Sequence, residues 1–310
     1  MRKQKYILLL ILALLVSGCG QEKIQTPDQT TAQDTQQNES GEPYQAPAFA
    51  DSAYHADVAQ GNDQVKLDLS ATSNGYAAVS AQSSARLKFQ VLKDDMTYTY
   101  DISSDGTPSI VPLQCGNGTY IFKVMQNVVD SKYAELYSAT ADVQLSDEFQ
   151  PFLRPNDYVH YSQDSECVKK AAELAAKESG QAGVVQAVYD YICETVKYDE
   201  QKAKTVQSGY IPNVDETMET GKGICFDYAS LAAAMLRSQG IPTKVIFGYV
   251  SPNNLYHAWN MFYTDESGWV TVDYQIDGGN WNRLDLTFTA NGEDDQFVGD
   301  GNNYTDVYYY

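Results

Sequence analysis

Cys225 stands where a helix should begin. Gly221-Lys222-Gly223-Ile224 leads into Cys225-Phe226-Asp227-Tyr228-Ala229, with apolar residues at Phe226, Ala229, Ala233 and Leu236. Gly240 and Pro242 supply the stop signal. Unpaired N–H groups at a helix start, together with the positive pole of the helix, favour thiolate over thiol. A thiol so placed is a candidate nucleophile, which needs a base and a third group to orient that base. The chain has three histidines, His55, His160 and His257. His55 lies near the N-terminal tail without an evident partner and reads as a solvated ring, while His160 falls at a domain junction. His257 opens an expected strand, from which an imidazole can reach a helix N-terminus packed on the same sheet. Asp273 and Asp285, both on the strands expected after His257, compete for the third role. A hairpin turn near Asp265 would set Asp273 opposite His257 on the neighbouring strand. Cys225 and His257 lack paired-ligand spacing, so no metal and no cofactor are expected.

The elements that must position these groups come in two kinds. From Ala53 to Leu145 the hydrophobic period is two: Val65, Leu67 and Leu69, then Leu87, Phe89 and Val91, then Tyr98, Tyr100 and Ile102, then Tyr120, Phe122 and Val124. Turn clusters such as Ser73-Asn74-Gly75 and Gly116-Asn117-Gly118 separate them. Short alternating strands with regular turns predict an all-β, immunoglobulin-like sandwich over 51–148. After Pro151-Phe152-Leu153-Arg154-Pro155 the period changes. Helices are expected over Cys167 to Ser179 and Gly183 to Val196, then a loop over Asp199 to Thr220, then the Cys225 helix. Strands follow at Lys244 to Val250, His257 to Tyr263, Trp269 to Ile276 and Trp281 to Phe288. Helices followed by an antiparallel sheet give an α+β domain over 149–310. The tail from Asn291, ending Tyr308-Tyr309-Tyr310, is expected to pack back on that domain.

At 310 residues the chain has room for about two domains. Acidic residues number 41 against 21 basic, a formal net charge of -20, which argues against nucleic acid as a partner. Arg2, Lys3 and Lys5 precede a short apolar run from Ile7 to Val16, and Val16-Ser17-Gly18-Cys19 follows. This start resembles a bacterial lipoprotein signal over 1–19, with Cys19 lipidated. Residues 20–50 are Gln, Thr, Asp, Asn and Pro with hardly an aliphatic, which reads as a disordered tether. The folded part is then expected outside the cytoplasmic membrane, held to it only through lipid, as a monomer. Five cysteines leave an odd remainder once Cys19 and Cys225 are set aside, against a full disulfide framework. Cys167 and Cys193 read as small buried hydrophobes, with a bridge between them as the alternative.

Three stretches carry a family resemblance: Gly-Lys-Gly-Ile-Cys-Phe-Asp-Tyr-Ala-Ser-Leu around Cys225, the segment from Leu236 through Gly240-Ile241-Pro242 to Tyr249, and Tyr256-His257-Ala258-Trp259-Asn260. Together they resemble the bacterial transglutaminase-like family, which shares a papain-like Cys-His-Asp arrangement. The likeness spans about Ala171 to Phe288 and leaves the β module outside. It implies Cys225 as nucleophile, His257 as general base and acid, and the Cys225 backbone N–H as an oxyanion donor. Asp285-Leu286-Thr287-Phe288 is similar to the family's Asp-Pro-Thr-Phe signature, which favours Asp285 over Asp273. For the second oxyanion donor the candidates are Gln207 and Tyr198. The implied activity is acyl transfer at amide bonds of a peptide or protein, cell-wall-linked substrates included. Peptidase or amidase is the first reading, and a cross-linking protein-glutamine amine transferase or a catalytically silent binding module are the alternatives.

Overall fold

The alternating strands of the first half fold into two four-stranded sheets over one core. The computed structural model describes residues 42–266, 268–271, 274–291 and 303–310. The strands are β1 (Gln60–Gly61), β2 (Val65–Asp68), β3 (Tyr76–Ala81), β4 (Leu87–Lys93), β5 (Met96–Ile102), β6 (Ser109–Pro112), β7 (Gly118–Val129) and β8 (Lys132–Val143). One sheet runs β1-β2-β3-β6 and the other β5-β4-β7-β8. Val65, Leu67, Phe89, Val91, Tyr98, Tyr100, Tyr120 and Phe122 all point into the shared core, as the period of two requires. The Tyr120 hydroxyl donates to the Gly116 carbonyl at 2.8 Å, tying the start of β7 to the turn before it.

The second half is built around one helix. Its helices are α1 (Glu166–Ala175), α2 (Gln181–Thr195), α3 (Glu200–Thr205), α4 (Val214–Thr220) and α5 (Cys225–Ser238). Every residue of α5 from Phe226 onward is buried, because α1, α2, α4 and a sheet surround it. Arg237 near its C-terminal end is also buried, and burial lowers its pKa from 12.5 to about 10. Its guanidinium donates to the carbonyls of Thr243, Arg154 and Tyr310 at 2.8, 2.9 and 2.8 Å. Between α2 and α5 lie two short parallel strands, β9 (Lys197–Tyr198) and β10 (Lys222–Gly223).

The sheet against α5 is antiparallel and runs β15-β12-β11-β16. It comprises β11 (Thr243–Val250), β12 (Leu255–Thr264), β15 (Asn280–Leu284) and β16 (Tyr304–Tyr309). The expected strand at Trp269–Ile276 does not join it. Those residues fold on themselves as β13 (Gly268–Thr271) and β14 (Tyr274–Ile276), with Gly268 opposite Ile276 and Trp269 opposite Gln275. β13 packs against α2 instead, and β15 takes the place beside β12. The strand expected to reach Phe288 ends instead at Leu284. Asp285 caps the short helix α6 (Leu286–Ala290), its carboxylate accepting the Thr287 and Phe288 N–H groups at 3.1 and 3.3 Å. The expected loop Asp199–Thr220 likewise contains α3 and α4. Asp199 accepts from Lys202 N–H and Asn213 from Glu216 N–H, both standard helix caps.

Residues 42–50, expected to continue the tether, lie against the helical half. Tyr44 donates its N–H to the Glu178 carbonyl at 2.6 Å and its hydroxyl to the Gln239 carbonyl at 2.7 Å. Phe49 meets Tyr161 edge-on at 5.8 Å. These two aromatic rings are what the Gln/Thr-rich residues before them lack. Cys19 and residues 20–41 lie outside the described residues. Cys115, Cys167 and Cys225 are free thiols, so Cys167 and Cys193 do not pair. Cys167 is fully buried in the helical core.

Residues 42–310 make one compact unit. Tyr310 lies in the core of the β module and stacks on Tyr158 at 4.0 Å, while its backbone bonds Val245 in both directions. The tail therefore adds a strand, β16, and seals the junction. Gly248 permits that pairing, since a Cβ there would lie 2.1 Å from the Thr305 carbonyl oxygen and 2.7 Å from the Trp259 indole. Gly248→Ala should therefore weaken the β11–β16 contact and cost about 1–3 kcal/mol. Thermal unfolding followed by circular dichroism checks this, and an unchanged midpoint would contradict the tight approach.

Candidate active site

Cys225 is the first residue of α5, and its placement is fixed by what surrounds the helix start. Ile224 is the N-cap and donates its N–H to Asp227 Oδ2 at 2.7 Å. Asp227, fully buried, also accepts from Lys202 Nζ at 2.9 Å and from the Tyr210 hydroxyl at 2.5 Å. Gly223 must be a glycine, because a Cβ there would sit 2.5 Å from that of Asp227. The sulfur is half-buried and faces a cleft, while the rest of the helix is not exposed.

His257 comes from β12, paired with Gly248 of β11. Its Nε2 lies 2.8 Å from Asp285 Oδ2, and both side chains are buried. Asp285 Oδ2 also accepts the Tyr304 hydroxyl at 2.8 Å, and Oδ1 accepts the two α6 N–H groups. Phe288 stacks on the imidazole at 4.4 Å. The Cys225 side chain hydrogen-bonds the same ring, and with Nε2 taken by Asp285 the nitrogen left for sulfur is Nδ1. Burial acts to lower the His257 pKa, whereas the Asp285 carboxylate and the bond to Cys225 raise it. The balance lifts it from 6.5 to about 10.

Of the residues singled out from sequence, the structure brings Cys225, His257 and Asp285 together. Asp273 lies outside the described residues. The strand expected to carry it beside His257 is the separate β13–β14 hairpin, and β15 leads Asp285 to the ring. Tyr198 and Gln207 both line the cleft, Gln207 donating its side-chain N–H to the Thr205 carbonyl at 2.8 Å. His160 lines the same cleft. His55 is not a lone solvated ring: its Nδ1 lies 3.0 Å from buried Asp68, far from this site in the β module. Tyr304 was not anticipated, and no local signal in a Gly/Asn/Asp-rich tail could have pointed to it. Among the described residues no cluster of three or more His, Cys, Asp or Glu could hold a metal.

The cleft has a volume of about 1260 Å3. Tyr158, Phe247 and Tyr256 of the α+β half, Tyr100 and Asp101 of β5, and the loop 206–213 all contribute to its wall. A buried His–Asp pair, a thiol beside the ring and an open cleft in front of that thiol are the parts that nucleophilic chemistry requires.

Residues 168–274 match the family model described as the transglutaminase-like superfamily. This segment is a transglutaminase-like domain. The match contains Cys225 and His257 and stops before Asp285. A protein-glutamine gamma-glutamyltransferase of Pseudomonas aeruginosa is 36% identical over 76 residues, covering 20% of this chain and 11% of that protein. The uncharacterized protein YebA of Bacillus subtilis is 29% identical over 120 residues, covering 33% of this chain and 16% of its own length. The chain thus spans a small part of these curated relatives. Among solved structures, a candidate cysteine protease from Cytophaga hutchinsonii aligns with a TM-score of 0.40 at 17% identity, covering 82% of this chain and 74% of that one. Red sea bream transglutaminase aligns with a TM-score of 0.30 at 13% identity, over 69% of this chain and 48% of that one. At these scores the structural likeness carries nothing about chemistry.

A raised histidine pKa makes the charged ring a stabilising feature of the transglutaminase-like fold below about pH 6.5. That contribution is lost as pH climbs through about 10. In Asp285→Asn, burial acts unopposed by the carboxylate, and the ring should titrate far lower. Proton NMR of the ring C–H signals should show His257 charged at neutral pH in the wild type and neutral in the variant. Chemical unfolding should show a stability gap between the two proteins that narrows from pH 6.5 to 10.

Proposed function

We propose that this chain is a thiol enzyme that cleaves amide bonds by acyl transfer, with Cys225 as nucleophile, His257 as base and acid, and Asp285 as the group that orients His257. The observation that carries this reading is the contact between His257 Nε2 and Asp285, which leaves Nδ1 for the sulfur at the start of α5. In the first half-reaction Sγ attacks the amide carbonyl carbon while the sulfur proton resides on Nδ1. The oxyanion is held in part by the Cys225 backbone N–H, one of the donors a helix start leaves unpaired. Nδ1 then protonates the leaving amine, the C–N bond breaks, and a thioester remains. In the second half-reaction His257 takes a proton from water, which attacks the thioester and frees the acid and the thiol. Peptidase or amidase action on a peptide or protein, cell-wall-linked or not, follows. Amine transfer is the second reading, favoured by the likeness to the glutamyltransferase.

The N-terminal residues support an extracytoplasmic setting with Cys19 lipidated and the chain tethered to the membrane as a monomer. We read the β module as immunoglobulin-like. Its strand order, β1-β2-β3-β6 against β5-β4-β7-β8, and the Tyr120 hydroxyl bonded back to Gly116 both support that reading.

Hydroxylamine intercepts a thioester as a hydroxamate. Peptide mixtures incubated with the protein and hydroxylamine should yield hydroxamates, and Cys225→Ala should yield none. Asp285→Asn should reduce turnover on the order of 10^3–10^4-fold while remaining folded. Full activity of that variant would remove Asp285 from the mechanism. Omitting the amine and measuring new carboxyl groups distinguishes hydrolysis from transfer.

A further inference from the structure

Resting on the acyl-transfer reading, we propose that the cleft selects a peptide whose side chains beside the reacting amide are apolar and not acidic. Those side chains would seat between the loop 206–213 and the Leu255–Tyr256 end of β12.

The argument starts from where solvent-exposed apolar groups collect. Ten large apolar side chains are exposed among the described residues, and five of them line this one cleft: Tyr198, Val206, Ile211, Leu255 and Tyr256, at 36% to 54% exposure. Scattered exposed apolar groups are ordinary, but half of them gathered around a thiol and its base make a contiguous patch that an apolar ligand would cover. The charges on the wall point the same way. Asp101, Asp157 and Asp215 line the cleft, and no described Lys or Arg does, in a chain with 21 of them. Two of the three carboxylates are held by backbone: Asp215 accepts the Cys167 and Glu166 N–H groups, and Asp157 accepts that of Ile110. They cannot swing away from a ligand, so an acidic side chain beside them meets repulsion; the cations at hand, His257 and Lys88, are already paired with Asp285 and Asp101.

The apolar wall is also fixed relative to the nucleophile. Tyr210, between Val206 and Ile211 in the loop, bonds Asp227 at 2.5 Å, and Lys202 holds the same oxygen. Asp227 is two residues from Cys225 and anchors the helix cap. Loop and sulfur thus share one anchor, and the loop need not be ordered at the moment of binding. On the far side Tyr100 and Asp101 of the β module complete the wall, which gives that module a share in substrate choice.

Peptidyl vinyl sulfones test this by alkylating Cys225 irreversibly, without any need for turnover. Two reagents would be compared on the full chain, identical except that the flanking residues are Leu and Phe in one and Glu in the other. Each rate is divided by the same protein's rate with iodoacetamide, which makes no use of the wall. The apolar reagent should react at least about ten-fold faster than the acidic one on this scale. Leu255→Glu and Val206→Asp, both at exposed positions, should each erase most of that preference. Equal normalised rates, or a preference for Glu, would overturn the inference and leave the nucleophile in place. Failure of iodoacetamide itself to modify Cys225 would overturn this inference and the acyl-transfer reading together.

Discussion

The Asp285 carboxylate is withdrawn from water, and the arrangement around it follows from the need to compensate that loss. A buried charge left unpaired costs several kcal/mol, so its lone pairs must all be met. Four donors meet them: the His257 ring, the Tyr304 hydroxyl and two N–H groups at the start of α6. They come from β12, β16 and α6, three elements that adjoin nowhere in sequence. One carboxylate therefore ties two strands of the sheet, starts a helix and keeps an imidazole in a single orientation. The charged state of His257 is a consequence, since the attraction of Asp285 and the bond to Cys225 outweigh the burial that opposes it.

The other half of the site depends on α5, which is both the core of its domain and the carrier of the sulfur. Its first turn is the one part of it open to the cleft, so the Cys225 sulfur sits at the start of an otherwise buried element. At the opposite end buried Arg237 binds three carbonyls, one of them in Tyr310, and so links the helix to the last strand. Tyr310 in turn lies among the side chains of the β module. The chain of contacts from the helix through the tail to the sandwich explains why two modules with different hydrophobic periods form one compact unit.

Much of this was legible locally. The period-two stretches, the Gly-Lys-Gly-Ile-Cys start and the strand opening at His257 depend on neighbours in sequence, and each lies where its spacing implies. The capped helices α3 and α4 carry the same kind of signal, in Asp199 and in Asn213 followed by Glu216. Tyr44 and Phe49 are different. Two rings in a polar stretch do not say what they will meet, and only the groove beside α1 and Tyr161 gives them a place.

The sequence by itself determined the types of chemistry on offer: a thiol at a helix start, an imidazole at a strand start and two aspartates on the strands expected after it. It could not choose between those aspartates, because pairing by turn arithmetic assumes that consecutive strands are neighbours. The fold sets β15 beside β12, which brings Asp285 to His257, and pairs β13 with β14. It also brought Tyr304 from the tail to the same carboxylate. Contacts of that kind are set by which backbone edges remain unpaired after nearer partners have been satisfied, and that is a property of the whole sheet rather than of any segment within it.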